Sequence, residues 1–319
     1  LEAGASEQTS LSNTPKSHDP LRLLLTWRPE SAGDEAAQVA AWLGRTETVA
    51  VRTATVISRS WTAQPELEFD NYSQWIEKES KAVSSAAQKA LDLAKLPNSM
   101  LDADEPSSVT VDHSETKALI DAATEFNADM MILGSHPAAP HSRFRIGSTA
   151  DALLHYAPLP LLLAPRTPKL SKRGVTRVNC CYIDTDQSHE ALRRAADLAH
   201  RWDVPLRLVA FSPRGATMYP TETEFIDNSD MMVEWREQAL ALLDRGRDRA
   251  LNRHGDLTVQ MEVGSGYGWS GAINALKWKK GDLLVMGSST LGGFHRVFIG
   301  PSTNQILRHS PVPVLLSTV

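Results

Sequence analysis

Cysteine is almost absent: the 319 residues contain two, Cys180 and Cys181, adjacent within an apolar run. Such a pair cannot build a disulfide framework, so the cross-linked secreted folds are excluded and a reducing compartment, the cytoplasm, is expected. Two neighbouring cysteines on a strand fit a packed core better than a metal site, and the histidines show no H-E-x-x-H spacing, so no metal is expected. Long hydrophobic runs are missing as well. Leu159 to Ala164 and Val312 to Leu316 are far too short to span a bilayer. Nor is there a basic run: 33 Lys and Arg stand against 38 Asp and Glu, a net charge of -5, which gives no footprint for nucleic acid. No G-x-S-x-G nucleophile elbow occurs. Residues 1–19 are polar, Ser/Thr-rich and lack the apolar stretch of a signal peptide, and read as a flexible leader.

What is present is a repeat. At 42% hydrophobic, the chain has enough apolar material for two globular cores. Ala128 to Pro165 aligns without a gap on Gly281 to Thr318. Asp129, Gly134, Gly147, Pro158 and Pro160 fall on Asp282, Gly287, Gly300, Pro311 and Pro313, always 153 residues on. A period this long means repeated domains, since solenoid units run roughly 20 to 50 residues. The expected division is domain 1 over 20–166, a linker over 167–174 rich in Pro, Lys and Ser, and domain 2 over 175–319.

Each half alternates strand and helix patterns. In the first, strands are expected at Leu21–Leu25, Val49–Ile57, Ser107–Val111, Met130–Leu133 and Leu159–Leu163, with helices between them. In the second, strands are expected at Val178–Ile183, Leu206–Phe211, Thr258–Val263, Leu283–Met286 and Val312–Leu316. This order specifies two tandem α/β units, each a doubly wound parallel sheet of five strands. Pro160 and Pro313, in the last strand of each half, fit an edge or pairing strand better than a central one.

Ligands of such sheets bind at the carboxyl ends of the strands, where the winding reverses. The loop after the fourth strand runs from Gly287 to Gly300 and Thr303 in the second half, and from Gly134 to Gly147 and Ser148 in the first. Both end where a helix starts, and a helix N-terminus presents unpaired N–H groups to a phosphate. These loops resemble the G-x2-G-x9-G-[ST] motif of ATP-binding universal stress proteins, as does the H-x-P-x-P-L-L ending. Gly134, Gly147 and Ser148 match in the first half, with Pro137 at the middle glycine. Gly287 and Gly300 match in the second, with Thr290 at the middle glycine and Pro301 at the Ser/Thr position, leaving the Ser302 and Thr303 hydroxyls as donors. The family also places an Asp at the end of the first strand. Asp184 matches it, whereas the first half reads Leu25-Thr26-Trp27 with no acid.

The resemblance implies a fold of the HUP type, like the adenine nucleotide alpha hydrolases, with final strands paired into an internal pseudo-dimer. It also implies ATP with Mg2+ as the ligand, protein partners not identified by the sequence, and a stress-response role as regulator or sensor. A homodimer of the whole chain stays open. Two other readings remain: a scaffold that binds no nucleotide and acts through partner surfaces, which Pro137, Thr290 and Pro301 favour, and a weak nucleotide hydrolase, for which Asp184 is the one candidate base. Gly266-Tyr-Gly-Trp-Ser-Gly271 spells the dinucleotide fingerprint G-x-G-x-x-G, but after the third strand rather than the first and without the acid closing the next strand. It is expected to be a Gly-rich lip beside the crevice. The polar segment Ser212 to Asp230 is long enough to be a lid.

Overall fold

The computed structural model describes residues 19–29, 34–58, 69–215, 229–287 and 301–317. In the first half these form β1 (Leu21–Thr26), α1 (Asp34–Gly44), β2 (Val49–Ser58), α2 (Phe69–Leu93), β3 (Ser107–Asp112), α3 (Glu115–Glu125), β4 (Met130–Gly134), α4 (Ser148–Tyr156) and β5 (Leu161–Ala164). The second half repeats them as β6 (Arg177–Cys181), α5 (Asp186–Arg201), β7 (Leu206–Arg214), α6 (Ser229–Arg253), β8 (Val259–Tyr267), α7 (Gly268–Asn274), β9 (Asp282–Gly287), α8 (Pro301–His309) and β10 (Val314–Ser317). No described helix is long and apolar enough to cross a membrane.

The two five-stranded sets join into one sheet of ten, ordered β3-β2-β1-β4-β5-β10-β9-β6-β7-β8. All pairings within a half are parallel, and the join is antiparallel, with Val314 opposite Leu163, Leu315 opposite Leu162 and Leu316 opposite Leu161. This is the expected internal pseudo-dimer. The prolines stand one residue ahead of the joining strands rather than inside them. Lacking N–H, each still accepts: Met131 N donates to Pro160 O and Leu284 N to Pro313 O, both at 3.0 Å.

Parallel strands covered on both faces must be apolar at successive positions. Leu23 and Leu25 face one core and Leu24 the other, and the same alternation holds for Leu162 against Leu161 and Leu163. Helices α1, α2, α5 and α6 cover one face, and α3, α4, α7 and α8 the other. Each core runs through both halves. Cys180 and Cys181 divide between these faces; burial pushes the Cys180 thiol well above its ordinary value and the Cys181 thiol up to about 12.

The repeated acid has a structural role. Asp129 accepts from Arg22 N at 2.7 Å, and the fully buried Asp282 takes two bonds of 2.7 Å from the Arg177 guanidinium. Two further arginines mirror one another on the second strand of each half. The Arg52 guanidinium lies 4.6 Å from the centre of the Phe126 ring and that of Arg207 lies 5.0 Å from Trp278. The segment between the halves is tethered on both sides: Arg166 Nη1 donates to Ala139 O at 2.7 Å, Ser171 N to Lys280 O at 2.8 Å, and Val175 N to Thr46 Oγ1 at 2.8 Å.

Two measurements check this architecture. Leu162→Ala and Leu315→Ala should each cost about 2–5 kcal/mol in denaturant unfolding. Because the two side chains meet across the join, the double variant should depart from additivity by roughly 0.5–3 kcal/mol. A thiol reagent at pH 8 should label neither cysteine at an appreciable rate in the folded protein and both after unfolding, since the thiolate is the reactive form.

Candidate functional site

The winding reverses between β1 and β4 in the first half and between β6 and β9 in the second. In the first half, Thr26 and Trp27 at the end of β1, Leu133 and Gly134 at the end of β4, and Ser148 and Thr149 at the start of α4 enclose a cavity of about 260 Å3. Gly147 caps α4 without a side-chain hydrogen bond. The amides of its first turn, and the helix dipole, are therefore available to an anion. A Cβ on Gly147 would come no nearer than 3.6 Å to His136 Cδ2, an ordinary contact.

A cation stands in the same cavity. Arg28, two residues beyond β1, pairs with Glu115 at the start of α3, its Nε 2.8 Å from Oε1, and its Nη2 donates to Thr149 Oγ1 at 3.0 Å. Thr149 in turn donates to Glu115 Oε2 at 2.8 Å. The Glu115 carboxylate raises the Arg28 guanidinium above its ordinary value, mainly by accepting its hydrogen bond. Trp27 is buried, and its Nε1–H has no partner among the described residues. Arg28, Glu115 and Thr149 escaped the sequence reading because they come from three distant segments. The one signal was position: each sits just past a strand or in the first turn of a helix.

The rest of the first-half loop bonds to itself and to the segment after β5. Ser135 Oγ accepts from Arg145 N at 2.8 Å, His136 N donates to Arg145 O at 3.0 Å, and Arg166 N donates to Arg143 O at 2.9 Å. Phe144 and Ala139 are buried beneath it, while His136 and Pro137 are exposed and line the cavity.

The second half is arranged differently. Asp184 does not close β6, which ends at Cys181; it lies three residues beyond, with φ of 55°, and Thr185 rather than Asp184 caps α5. Its carboxylate is engaged on both oxygens. His189 Nε2 at 2.8 Å and the Tyr182 hydroxyl at 3.0 Å donate to Oδ1, and Arg245 Nη2 at 3.2 Å donates to Oδ2. These bonds, His189 first, hold the Asp184 carboxyl down to about 2. A carboxylate so strongly acidic is a poor general base near neutral pH. Gly287 ends β9 against the start of α5, where a Cβ would run into the backbone carbonyl of Gln187. Ser302 and Thr303 lie in the first turn of α8, Ser302 exposed and Thr303 buried. Gly300 and Thr290 lie outside the described residues, as do 216–228 of the expected lid.

The dinucleotide-like motif is a packing device, not a lip on the crevice. β8 is an outer strand, separated from the β6–β9 switch point by β7. A Cβ on Gly266 would strike the backbone of Gly271, so these glycines let α7 lie against β8.

Comparisons with known proteins agree with the fold. The Universal stress protein family matches the chain twice, over residues 23–165 and 174–317. Universal stress protein Rv2319c of Mycobacterium tuberculosis (strain ATCC 25618 / H37Rv) is 34% identical over 286 residues, covering 89% of this chain and 95% of that protein. The same figures hold for Universal stress protein MT2382 of the CDC 1551 strain. Among solved structures, a universal stress protein from Archaeoglobus fulgidus DSM 4304 superposes with a TM-score of 0.62 at 15% identity, covering 94% of this chain and 99% of that one. The functionally unknown protein PA1789 from Pseudomonas aeruginosa PAO1 does so at 0.53 and 13%, covering 93% and 92%.

The two loop glycines should therefore behave oppositely. Gly287→Ala should destabilise the protein by about 1–3 kcal/mol, since backbone must move, while Gly147→Ala should leave the unfolding midpoint nearly unchanged. Asp184 should also shape the acid limb of stability. Its carboxyl is depressed in the folded state, so the stabilisation it supplies is present above pH ~4 and is lost as the pH falls toward about 2. Unfolding free energies between pH 5 and pH 2 should fall less steeply for Asp184→Asn than for the unsubstituted chain.

Proposed function

The chain belongs to the universal stress protein family, one domain in each half, and from that premise we propose that it is a cytoplasmic stress-response regulator or sensor that binds one ATP in its first-half crevice. The observation that carries the reading is the uncapped start of α4 opening on the same cavity as Arg28, at the switch point of the sheet. A helix N-terminus and a guanidinium are complementary to phosphate. Ser148 adds a hydroxyl donor, Thr149 holds Arg28 and Glu115 in place, and Ala54, Leu119 and Leu133 give the cavity an apolar wall suited to a base. At about 260 Å3 the cavity is slightly smaller than typical small-molecule pockets of roughly 300–1,000 Å3, so the nucleotide would fill it and extend past its mouth. Bound Mg2+ would neutralise phosphate charge; Glu115 would serve it only by giving up its bonds to Arg28 and Thr149.

In the second half a different reading is favoured. Asp184 spends its acceptors on the protein and Gly287 is closed against α5, which supports a scaffold that presents surfaces to protein partners.

Calorimetry with ATP and Mg2+ tests both readings together. One equivalent should bind; Arg28→Ala and Thr149→Val should weaken it, Arg28→Ala by roughly tenfold or more as a charged hydrogen bond is lost. Asp184→Asn should leave it unchanged. No heat and no thermal shift, or loss of binding in Asp184→Asn with none in Arg28→Ala, would overturn the assignment.

A further inference from the structure

At the far end of α5 from Asp184 lies a cluster that neither the crevice nor the fold accounts for. His200 occupies the last turn of α5, His254 follows α6, and Asp256 lies in the turn leading to β8. One nitrogen of each ring and one carboxylate oxygen of Asp256 all lie within 4.8 Å of one another. His200 Nδ1 is 3.1 Å from Asp256 Oδ1. That is a hydrogen-bond distance, and it brings the two groups near enough to share one ion. The rings of His200 and His254 stack with centroids 4.1 Å apart and 8° between their planes.

We propose that His200, His254 and Asp256 bind a divalent zinc-type ion, with water completing the coordination. Two imidazoles and a carboxylate are a ligand set suited to zinc, and three protein ligands with an open fourth position are a stable arrangement for it. A fourth residue serves the site without touching the ion. Asp197 Oδ1 accepts from His254 Nε2 at 2.7 Å, and the Arg253 guanidinium holds the carboxylate, with Nη2 donating to Oδ2 at 2.8 Å. A carboxylate on one ring nitrogen fixes the tautomer and leaves the other, Nδ1, as the ligand. Ring lone pairs lie in the ring plane, so the ion requires the rings to turn out of their stack. His200, with its side chain 46% exposed, has room to turn. Occupancy would pin the ends of α5 and α6 to the turn before β8. No linear motif signals the site, because His254 comes 54 positions after His200 in the sequence.

The test uses the full chain stripped with EDTA. Zinc should raise its melting temperature, and Co2+ should give visible absorption bands of a nitrogen- and oxygen-ligated ion. His200→Ala and Asp256→Asn, both at exposed positions, should melt in EDTA like the unsubstituted protein yet lose the zinc-dependent rise and the cobalt bands. Asp197→Asn should weaken zinc binding by roughly tenfold or more without abolishing it. The site is overturned if zinc produces no rise, or if the rise and the cobalt bands survive unchanged in His200→Ala and Asp256→Asn.

Discussion

The antiparallel pairing of β5 with β10 is the contact on which the rest of the molecule depends. Each half taken alone would end in a four-residue, leucine-rich strand with an unpaired edge, a surface that invites association. Pairing the two edges satisfies both sets of backbone groups and buries Leu162 and Leu315 in one core and their neighbours in the other. The helical layers on either face then run without interruption through both halves. The switch points of both halves are thereby set within one sheet, and the loops that follow β4 and β9 are built on a common frame.

On that frame the halves have used the same positions for different ends. In the first half Gly147 stands open beside an uncapped helix; in the second Gly287, the counterpart of Gly134, has the start of α5 packed against it. The acid that the family places at the first crevice is missing there, and Arg28 with Glu115 takes up the polar role. Where the acid is kept, at Asp184, three side chains have claimed it and drawn it into the corner between β6 and α5. Identity with a motif is thus a poor guide to which crevice is open to a ligand, because the outcome depends on what packs around the motif.

Much of the architecture was legible in the residues. The constant offset of 153 exposed the duplication, the alternation of patterns gave ten strands and eight helices, and the prolines at 160 and 313 marked the strands that join. The site was legible only in outline. Gly134, Gly147 and Ser148 do meet around one cavity, but Arg28, Glu115 and Thr149 meet through the fold and carry no spacing of their own. Asp184 was expected to close the first strand of its half; it lies three residues beyond β6, where His189, Tyr182 and, from α6, Arg245 hold it. The G-x-G-x-x-G run spelled a ligand motif while answering a steric need, the close approach of α7 to β8.

The tethered segment between Ala164 and Arg177 gives the join a property that two separate chains would lack. Short covalent connections hold their ends at an effective concentration on the order of millimolar. Pairing of β5 with β10 is therefore indifferent to dilution, and each half is guaranteed a partner in every molecule at every expression level. Under that guarantee, a mutation that closes one crevice is not lost with the dimer it would otherwise weaken. A tandem chain can let one copy drift into a purely architectural role while the other remains exposed to selection for its ligand.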